Sequence, residues 1–343
     1  MISHTNPSQG QPFSISMPTS AAITILTPVW NSLPYIMETA ESIFSQNEQN
    51  WQWVISDDGS IDGSIDYLRQ IQDLGDQRIN IFYQPQNLGI FGNLNFLSQR
   101  AQAPLVQILC ADDYLSTPDS LSLIVASWRT LDPSVGVIRW NGGKLLNQKL
   151  PQLVDSHNSQ LLFFLHGNLL GNLSCACVRR KCLLQAGEFN QAYPYAGDFE
   201  YWARFVQVNR LLISDASYVS VRSHPGQASV HLNTNGELYT QLSIVTSQIY
   251  SRIQVRGIIG KLLLRIAGTL VYDSQYRLMG LRTALGGHPV KLHALSSSNA
   301  SKQYLLPLIL RYCVFFLSLG GRLGKNSFLS LAYRVNRLIG SGP

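Results

Sequence analysis

Two adjacent carboxylates, Asp112 and Asp113, follow the mainly apolar run Leu105–Cys110, with only Ala111 between. Magnesium and manganese prefer hard oxygen ligands, and a buried strand that ends in paired acids offers such ligands at the rim of an α/β sheet. Adjacent side chains at a strand end diverge, so one acid could bind an ion while the other faces a ribose hydroxyl or the ion's water. The same pair also fits a turn that caps the following helix.

Three other polar residues could belong to the same site. Asp58, in Asp57-Asp58-Gly59-Ser60, could accept a hydrogen bond from a base or a ribose, although Asp-Gly is also a common turn pair. Asp198 could act as a general base towards an acceptor hydroxyl, or it could cap the helix that begins there. His224 could bind a metal or a diphosphate, or it could be an ordinary loop residue before Pro225.

Alternating strand and helix patterns must position these residues. The predicted strands are Ala22–Thr27, Trp51–Ser56, Ile79–Tyr83 and Leu105–Cys110. The predicted helices are Leu33–Phe44, Ile65–Leu74, Asn93–Ala101 and Pro118–Leu131, with the loop Asn87–Gly92 before the third. A strand, a helix and a strand within about 35 residues form a βαβ unit, which requires parallel strands. All four strands therefore end at one edge, where an open α/β sheet binds its ligand.

The pattern is less regular after the fourth helix. Further short strands are predicted at Val135–Trp140, Leu161–Leu165, Ser174–Val178, Leu211–Ser214 and Tyr218–Val221. From about Thr234 onward, long helical runs dominate. The sequence thus predicts an α/β protein with a mostly parallel sheet flanked by helices, divided into a disordered leader (1–21), one α/β domain (22–232) and a basic helical C-terminal region (233–343).

Charge is distributed unevenly along the 343 residues. The net charge is +6, but thirteen of the 26 Lys and Arg residues follow Tyr250, with only one of the 20 acids, Asp273. Basic helices with apolar faces suit the anionic cytoplasmic surface of a membrane. A solvated helical appendage, or an oligomer contact through Leu305–Leu319, would also account for this region. Nucleic acid is the least favoured partner because interleaved aromatics and a recognisable binding module are lacking.

The cysteines and the leader are used to predict the cellular compartment of the protein. An odd number of cysteines without a disulfide framework predicts a reduced, cytosolic setting. Cys175, Cys177 and Cys182 have no fourth ligand in view, so burial is favoured over a zinc site. The leader has no Lys or Arg, the first being Arg69, which argues against a signal peptide. No window reaches the ~20 apolar residues of a membrane span.

Jointly, these motifs resemble the family 2 glycosyltransferases over about Ala21–Ser229. The resemblance rests on the strand after Ala22, Asp57-Asp58-Gly59-Ser60, Asp112-Asp113, Gly197–Arg204 and Arg222–Gly226, in that order and at that spacing. It implies the Rossmann-like nucleotide-sugar fold called GT-A, a Mg²⁺ or Mn²⁺ ion, and inversion at the anomeric carbon.

The resemblance also implies residue roles. It assigns Thr27, Pro28, Asp58, Asp112 and Arg222 to donor binding, Asp113 and His224 to the metal, and Asp198 to the catalytic base. The family commonly has Glu before this Asp, but here Gly197 stands there, so the role of that acid is missing or moved to Glu200. The Gln-x-x-Arg-Trp segment of processive members is absent, which argues against a polymerising synthase.

The implied partners are a nucleoside-diphosphate sugar and a saccharide or lipid-linked acceptor, in cell-surface polysaccharide or glycolipid assembly. Acceptor choice is expected from loops such as Asn141–Asn172. One rival is a sugar-phosphate nucleotidyltransferase, but the loop Thr27–Pro34 lacks the glycine and basic residue expected there. Another is a non-catalytic nucleotide-sugar-binding protein, against which the presence of all three carboxylates argues.

Overall fold

The computed structural model describes residues 21–141, 152–224, 237–254, 257–270, 306–307, 309–310 and 313. Residues 1–20 of the predicted leader, part of the predicted acceptor loop, Pro225 and Gly226, and most of the predicted C-terminal region lie outside the described residues. Among the described helices, none is long and apolar enough to cross a membrane.

Strands and helices alternate in the first part of the chain. They are β1 (Ile23–Val29), α1 (Leu33–Phe44), β2 (Trp51–Asp57), α2 (Ser64–Asp73), β3 (Ile79–Tyr83), α3 (Gly89–Ser98), β4 (Leu105–Ile108), β5 (Tyr114–Leu115), α4 (Ser120–Arg129) and β6 (Val135–Arg139). The later elements are β7 (Leu153–Val154), α5 (Ser156–His166), β8 (Ala176–Arg179), α6 (Arg180–Gln185), α7 (Gly197–Phe205), β9 (Arg210–Ile213), β10 (Val219–Ser220), α8 (Glu237–Arg252) and α9 (Gly257–Gly268).

The main sheet has the strand order β3-β2-β1-β4-β8-β6-β9-β7. The first four strands of this order are parallel, and so are β6 and β9, whereas β8 and β7 pair antiparallel with their neighbours. A separate two-stranded sheet joins β5 and β10, with Val219 opposite Leu115. The predicted α/β class with a mostly parallel sheet is confirmed, and the ends of β1, β2 and β4 meet at one edge.

The core lies on both faces of the sheet. One apolar cluster includes Ile36 of α1, Leu68 of α2 and Ile124 of α4, while the other includes Leu94 of α3 and Trp202 of α7. Every residue of β1 and β2 is buried. A parallel sheet covered on both faces favours strands that are mainly apolar, and the buried polar residues of these two strands are hydrogen-bonded, as Thr24 Oγ1 is to Gln52 Oε1 at 2.7 Å.

Some predictions of secondary structure are wrong. The predicted strand Leu161–Leu165 lies inside α5, where all five residues are at most 3% exposed. A short run that is buried on every side has no polar face, so its periodicity does not distinguish a strand from a helix. The third helix begins at Gly89, inside the predicted loop Asn87–Gly92, and Asn87 Oδ1 accepts a hydrogen bond from the Gly89 N–H at 2.9 Å.

The first strand does not stop before Pro28, as predicted, but continues to Val29. The carbonyl of Val29 faces β2, since it accepts from the N–H of Asp58, whereas the carbonyl of Leu26 accepts from Leu109 on the other side. By this alternation the nitrogen of Pro28 faces the side of β4, which has already ended at Ile108. The missing N–H of proline therefore costs no sheet hydrogen bond.

Candidate active site

The acid pair lies in the turn between β4 and β5. Asp113 is 1% exposed, and its Oδ1 accepts the backbone N–H of Arg222 at 3.0 Å. Its carbonyl accepts from Thr39 Oγ1 of α1 at 2.7 Å, which fixes the turn against that helix. The other carboxylate oxygen, Oδ2, is buried and has no hydrogen-bond partner among the described residues.

The electrostatics of Asp113 fit a cation. Burial raises the pKa of Asp113 to about 6, and the neighbouring charge of Asp112 adds to the rise. An unpaired buried oxygen beside a second carboxylate is costly without a positive ligand, because buried charges require pairing. One oxygen from each of the two acids and the Cys110 sulfur lie within 4.8 Å of one another. The residues present therefore fit a divalent metal ion, as the sequence predicts.

The short strand β10 brings two distant residues to this pair. Arg222 Nη1 donates to the carbonyl of Asp112 at 2.8 Å, and the guanidinium lies over the Tyr114 ring, 4.7 Å from its centroid. Arg222 also forms an ion pair with Glu38 on α1. His224 Nε2 lies 3.0 Å from Asp112 Oδ2. The structure thus brings together four residues that the sequence analysis selected: Asp112, Asp113, Arg222 and His224.

Asp57 and Asp58, at the end of β2, form different hydrogen bonds. Asp57 Oδ1 accepts from the N–H groups of Gly59 and Ser60 and so closes the turn. Asp58 is 2% exposed, and its Oδ1 accepts the N–H of Leu88 at 2.7 Å. Burial raises the pKa of Asp58, although the hydrogen bonds from the α3 side oppose the rise. Asp58 therefore ties this turn to the start of α3, and its contact with a base stays a prediction.

Thr27 and Pro28 are buried within β1. Thr27 is fully buried, and its Oγ1 accepts the indole N–H of Trp53 at 2.9 Å. The hydroxyl keeps its own proton, so it can still donate one hydrogen bond. The contact of Thr27 with a base therefore stays a prediction, as it does for Asp58.

Asp198 lies in the first turn of α7 and is partly buried. Its Oδ2 accepts from Asn168 Nδ2 at 2.8 Å, and its Oδ1 accepts the N–H of Phe199 at 2.7 Å. Burial raises the pKa of Asp198 to about 6, while these hydrogen bonds oppose the rise. A carboxyl group that titrates near neutral pH is suited to accept a proton from a hydroxyl.

Asn168 is the residue that the sequence analysis missed. Its Oδ1 accepts the N–H of Leu170 at 3.1 Å, and its Nδ2 also lies 3.3 Å from the carbonyl of Gly171. An asparagine in a loop gives no sequence signal that separates such a role from ordinary turn formation. The nearest indication was that the predicted acceptor loop, Asn141–Asn172, contains it.

Packing explains why Gly197 stands where the family commonly has a glutamate. A Cβ atom built at Gly197 would lie 2.5 Å from the ring of Phe91, so a glutamate does not fit there. Glu200, the alternative position for that acid, is buried and pairs with Arg204 at 3.0 Å. The residue before the predicted base is therefore fixed by the packing of α3 against α7.

Hydrogen bonds and one packing contact connect the parts of the site. Ser174 Oγ accepts the N–H of Cys110 at 2.9 Å, just before the acid pair. The same loop begins at Asn168, which holds Asp198. On the other side, the segment from Leu88 to Phe91 contacts both Asp58 and Gly197. Asp58, the acid pair and Asp198 are therefore linked through two intervening segments.

The sequence is similar to a known protein family and to individual members of it. Residues 24–186 match the family described as "Glycosyl transferase family 2". A relative in Bacillus subtilis (strain 168), "Putative teichuronic acid biosynthesis glycosyltransferase TuaG", is 35% identical over 91 residues, which are 26% of this chain. The matched stretch spans only 36% of that relative's length.

Two solved structures share the fold. Residues 1–349 of S. aureus TarS, in complex with UDP-GlcNAc, have a TM-score of 0.60 at 16% identity, covering 92% of this chain and 91% of theirs. The mannosyltransferase PcManGT from Pyrobaculum calidifontis, in complex with GDP-Man and Mn²⁺, has a TM-score of 0.52 at 17% identity, covering 97% and 92%. At these identities the similarity establishes the fold, which is the GT-A arrangement expected from the sequence.

Proposed function

Since this chain belongs to glycosyl transferase family 2, we propose that it transfers a sugar from a nucleoside-diphosphate sugar to a hydroxyl group of an acceptor. The observation that carries the proposal is the acid pair after β4, where Asp113 Oδ2 is buried and has no hydrogen-bond partner within the part of the chain that the structure describes. This pair lies within the residues that match the family. The nucleotide-sugars in the two related structures support a donor of the same class.

Asp198 is the proposed base. It takes the proton of the acceptor hydroxyl as that oxygen attacks the anomeric carbon from the side opposite the diphosphate, which inverts the configuration. The hydrogen bond from Asn168 orients the carboxylate and leaves its charge partly uncompensated. Because the pKa of Asp198 is about 6, the group is mainly ionised at pH 7 and loses its proton-accepting form below pH 6.

The acid pair and the residues after β10 form the proposed donor side. Asp113, assisted by His224, would hold a Mg²⁺ or Mn²⁺ ion, which would supply positive charge to offset that of the diphosphate. Asp112 faces the ribose or the sugar, and Asp58 reaches the base. Arg222 lies beside the acid pair with a cationic group oriented by Glu38, which suits contact with the diphosphate.

A transfer assay with a panel of nucleotide-sugars tests the proposal. UDP-GlcNAc and GDP-Man, each with Mn²⁺ or Mg²⁺, are the first donors to test, and saccharides and lipid-linked saccharides are the acceptors. We expect one donor to raise the melting temperature, since a ligand that binds the native state stabilises it, and to give a product of inverted configuration by NMR. Donor binding without transfer or hydrolysis under any condition would favour the non-catalytic alternative.

A peripheral position on the cytoplasmic face of a membrane is the second part of the proposal. Helix α9 exposes Ile258, Ile259 and Leu262, at 87%, 72% and 49%, with exposed Lys261 among them. Exposed apolar side chains next to basic ones match an anionic lipid surface. The excess of basic residues after Tyr250 supports this match, and such a position would bring lipid-linked acceptors close to the enzyme.

Vesicle flotation tests this part. We expect the protein to float with vesicles containing anionic lipid, and the double change Ile258→Gln and Ile259→Gln to reduce that binding. The matched control is Ile61→Gln with Val208→Gln, which alters two apolar residues that are equally exposed, at 91% and 77%, in the α/β domain. Equal flotation of both double variants would rule out membrane contact through α9.

A further inference from the structure

Cys110 is the one member of the acid-pair cluster to which the proposed reaction gives no role. It follows β4, and its sulfur belongs to the same group of ligand atoms, all within 4.8 Å, as one oxygen from each of Asp112 and Asp113. Its N–H donates to Ser174 Oγ at 2.9 Å, which holds this part of the backbone. In contrast, Cys177 accepts the indole N–H of Trp128 in the buried sheet.

A sulfur atom changes which cations such a cluster prefers. Carboxylates suit Mg²⁺ and Mn²⁺, whereas thiolates select softer ions such as Zn²⁺. Asp113 Oδ2, which is buried and without a hydrogen-bond partner among the residues described, indicates that a positive ligand belongs here. We propose that Cys110 makes this a mixed thiolate and carboxylate site, which binds Zn²⁺ or Cd²⁺ in preference to the reaction's own cation and is thereby inhibited by these ions.

The segment that follows β10 adds a nitrogen ligand to this set of ligand atoms. His224 Nε2 lies 3.0 Å from Asp112 Oδ2, and its Nδ1 is buried with no hydrogen-bond partner among the described residues. Zinc sites in proteins combine sulfur, nitrogen and carboxylate oxygen ligands. Binding of the ion would release the thiol proton to solvent, as metal coordination of cysteine requires a thiolate. The inhibitory consequence rests on the proposed function, but the binding does not.

Direct metal binding to the whole protein tests the inference. Cd²⁺ is titrated into metal-free protein, and the ultraviolet charge-transfer band of a cadmium-bound thiolate is recorded. Zn²⁺ and Mn²⁺ affinities are measured by calorimetry. We expect a band that saturates at one equivalent, and a ratio of Zn²⁺ to Mn²⁺ affinity that falls at least tenfold in Cys110→Ser. The control Cys313→Ser, which removes an exposed thiol, should retain both the band and the ratio.

Two outcomes would overturn the inference: a band that persists in Cys110→Ser, or a ratio of affinities that does not change. Cys110→Ala, and melting curves in EDTA, separate a lost ligand from a lost fold. Failure of the proposed function can be distinguished from failure of this inference. Sugar transfer without the band would remove only the role of Cys110, whereas the band without any transfer or hydrolysis would leave the metal site and remove the enzyme.

Discussion

Asp113 and Asp198 lie in two parts of the candidate site, and burial raises the pKa of each to about 6. Their neighbours differ. Asp113 has a second carboxylate, Asp112, beside it, and one of its oxygens has no hydrogen-bond partner in the described ranges. Both oxygens of Asp198 accept hydrogen bonds from neutral groups. The same rise in pKa therefore has different chemical consequences. The first carboxyl group is suited to a cation, and the second is suited to a proton.

Replacing the proposed base should have the largest effect. We expect Asp198→Asn to lower kcat by ~10² to 10⁴, the usual contribution of general-base catalysis, with little change in donor affinity. Single-turnover transfer and donor titration measure the two quantities. Asp66→Asn, at an exposed acid of α2, is the control. Full turnover by Asp198→Asn would show that the base lies elsewhere.

Replacing Asp113 should weaken cation binding and change the stability of the fold. We expect Asp113→Asn to weaken Mn²⁺ binding by more than the 10 to 100-fold that a second-shell partner typically contributes, as measured by calorimetry. The exposed acid Asp119 provides the control, Asp119→Asn. Unchanged Mn²⁺ affinity in Asp113→Asn would remove the metal assignment.

The same variant should be more stable than the unmodified protein when both are free of metal. A carboxyl group whose folded pKa is raised destabilises the folded state where it is ionised, so we expect a gain of about 1 to 3 kcal/mol at pH 7. The gain should shrink as the pH falls through 6 and vanish near pH 4, because the native carboxyl then becomes protonated. Urea unfolding in EDTA at several pH values measures it, and a gain that stays constant with pH would contradict the burial argument.

Removing the amide that holds Asp198 should have an intermediate effect. Asn168→Leu takes away a hydrogen bond to the ionised form, so the pKa of Asp198 should rise further. The acidic limb of the kcat profile should therefore move to higher pH, and turnover at pH 6 should fall roughly tenfold, the equivalent of one hydrogen bond to a charged group.

The control for this variant is Asn190→Leu. Asn190 bonds the N–H two residues later, as Asn168 does, but its described hydrogen bonds include no carboxylate. A pH profile that moves equally in both variants would show that Asn168 acts only through its loop.

The smallest effect is expected at the edge of the acid pair. Glu38 is 58% exposed and pairs with Arg222, and an ion pair with an exposed partner contributes ~0.2 to 1 kcal/mol. Glu38→Gln should raise the KM for the donor by roughly twofold to fivefold and leave kcat nearly constant. Glu41→Gln, on the same helix, is the control. A fall in kcat alone would argue against a donor role for Arg222.

The sequence predicted some elements of the structure accurately and missed others. The bounds of α1 and β3 agree with their predicted limits, because a regular apolar periodicity specifies them locally. The predicted strand within α5 was wrong, since a fully buried run carries no periodicity. Asn168 was missed for another reason: its partner, Asp198, lies 30 residues further along the chain, and no local pattern records that contact.

By itself, the sequence determined the parallel βαβ order, the position of acids at the strand ends and the family resemblance, since these depend on short-range periodicity and on the residues within each motif. Only the tertiary structure decided which groups are adjacent. Arg222 and His224 lie 109 and 112 positions from the acids they contact. The indole N–H of Trp53 donates a hydrogen bond to the Thr27 hydroxyl. The physical reason is that hydrogen bonding and burial depend on how distant segments pack, and the pKa values of Asp113 and Asp198 follow from that packing.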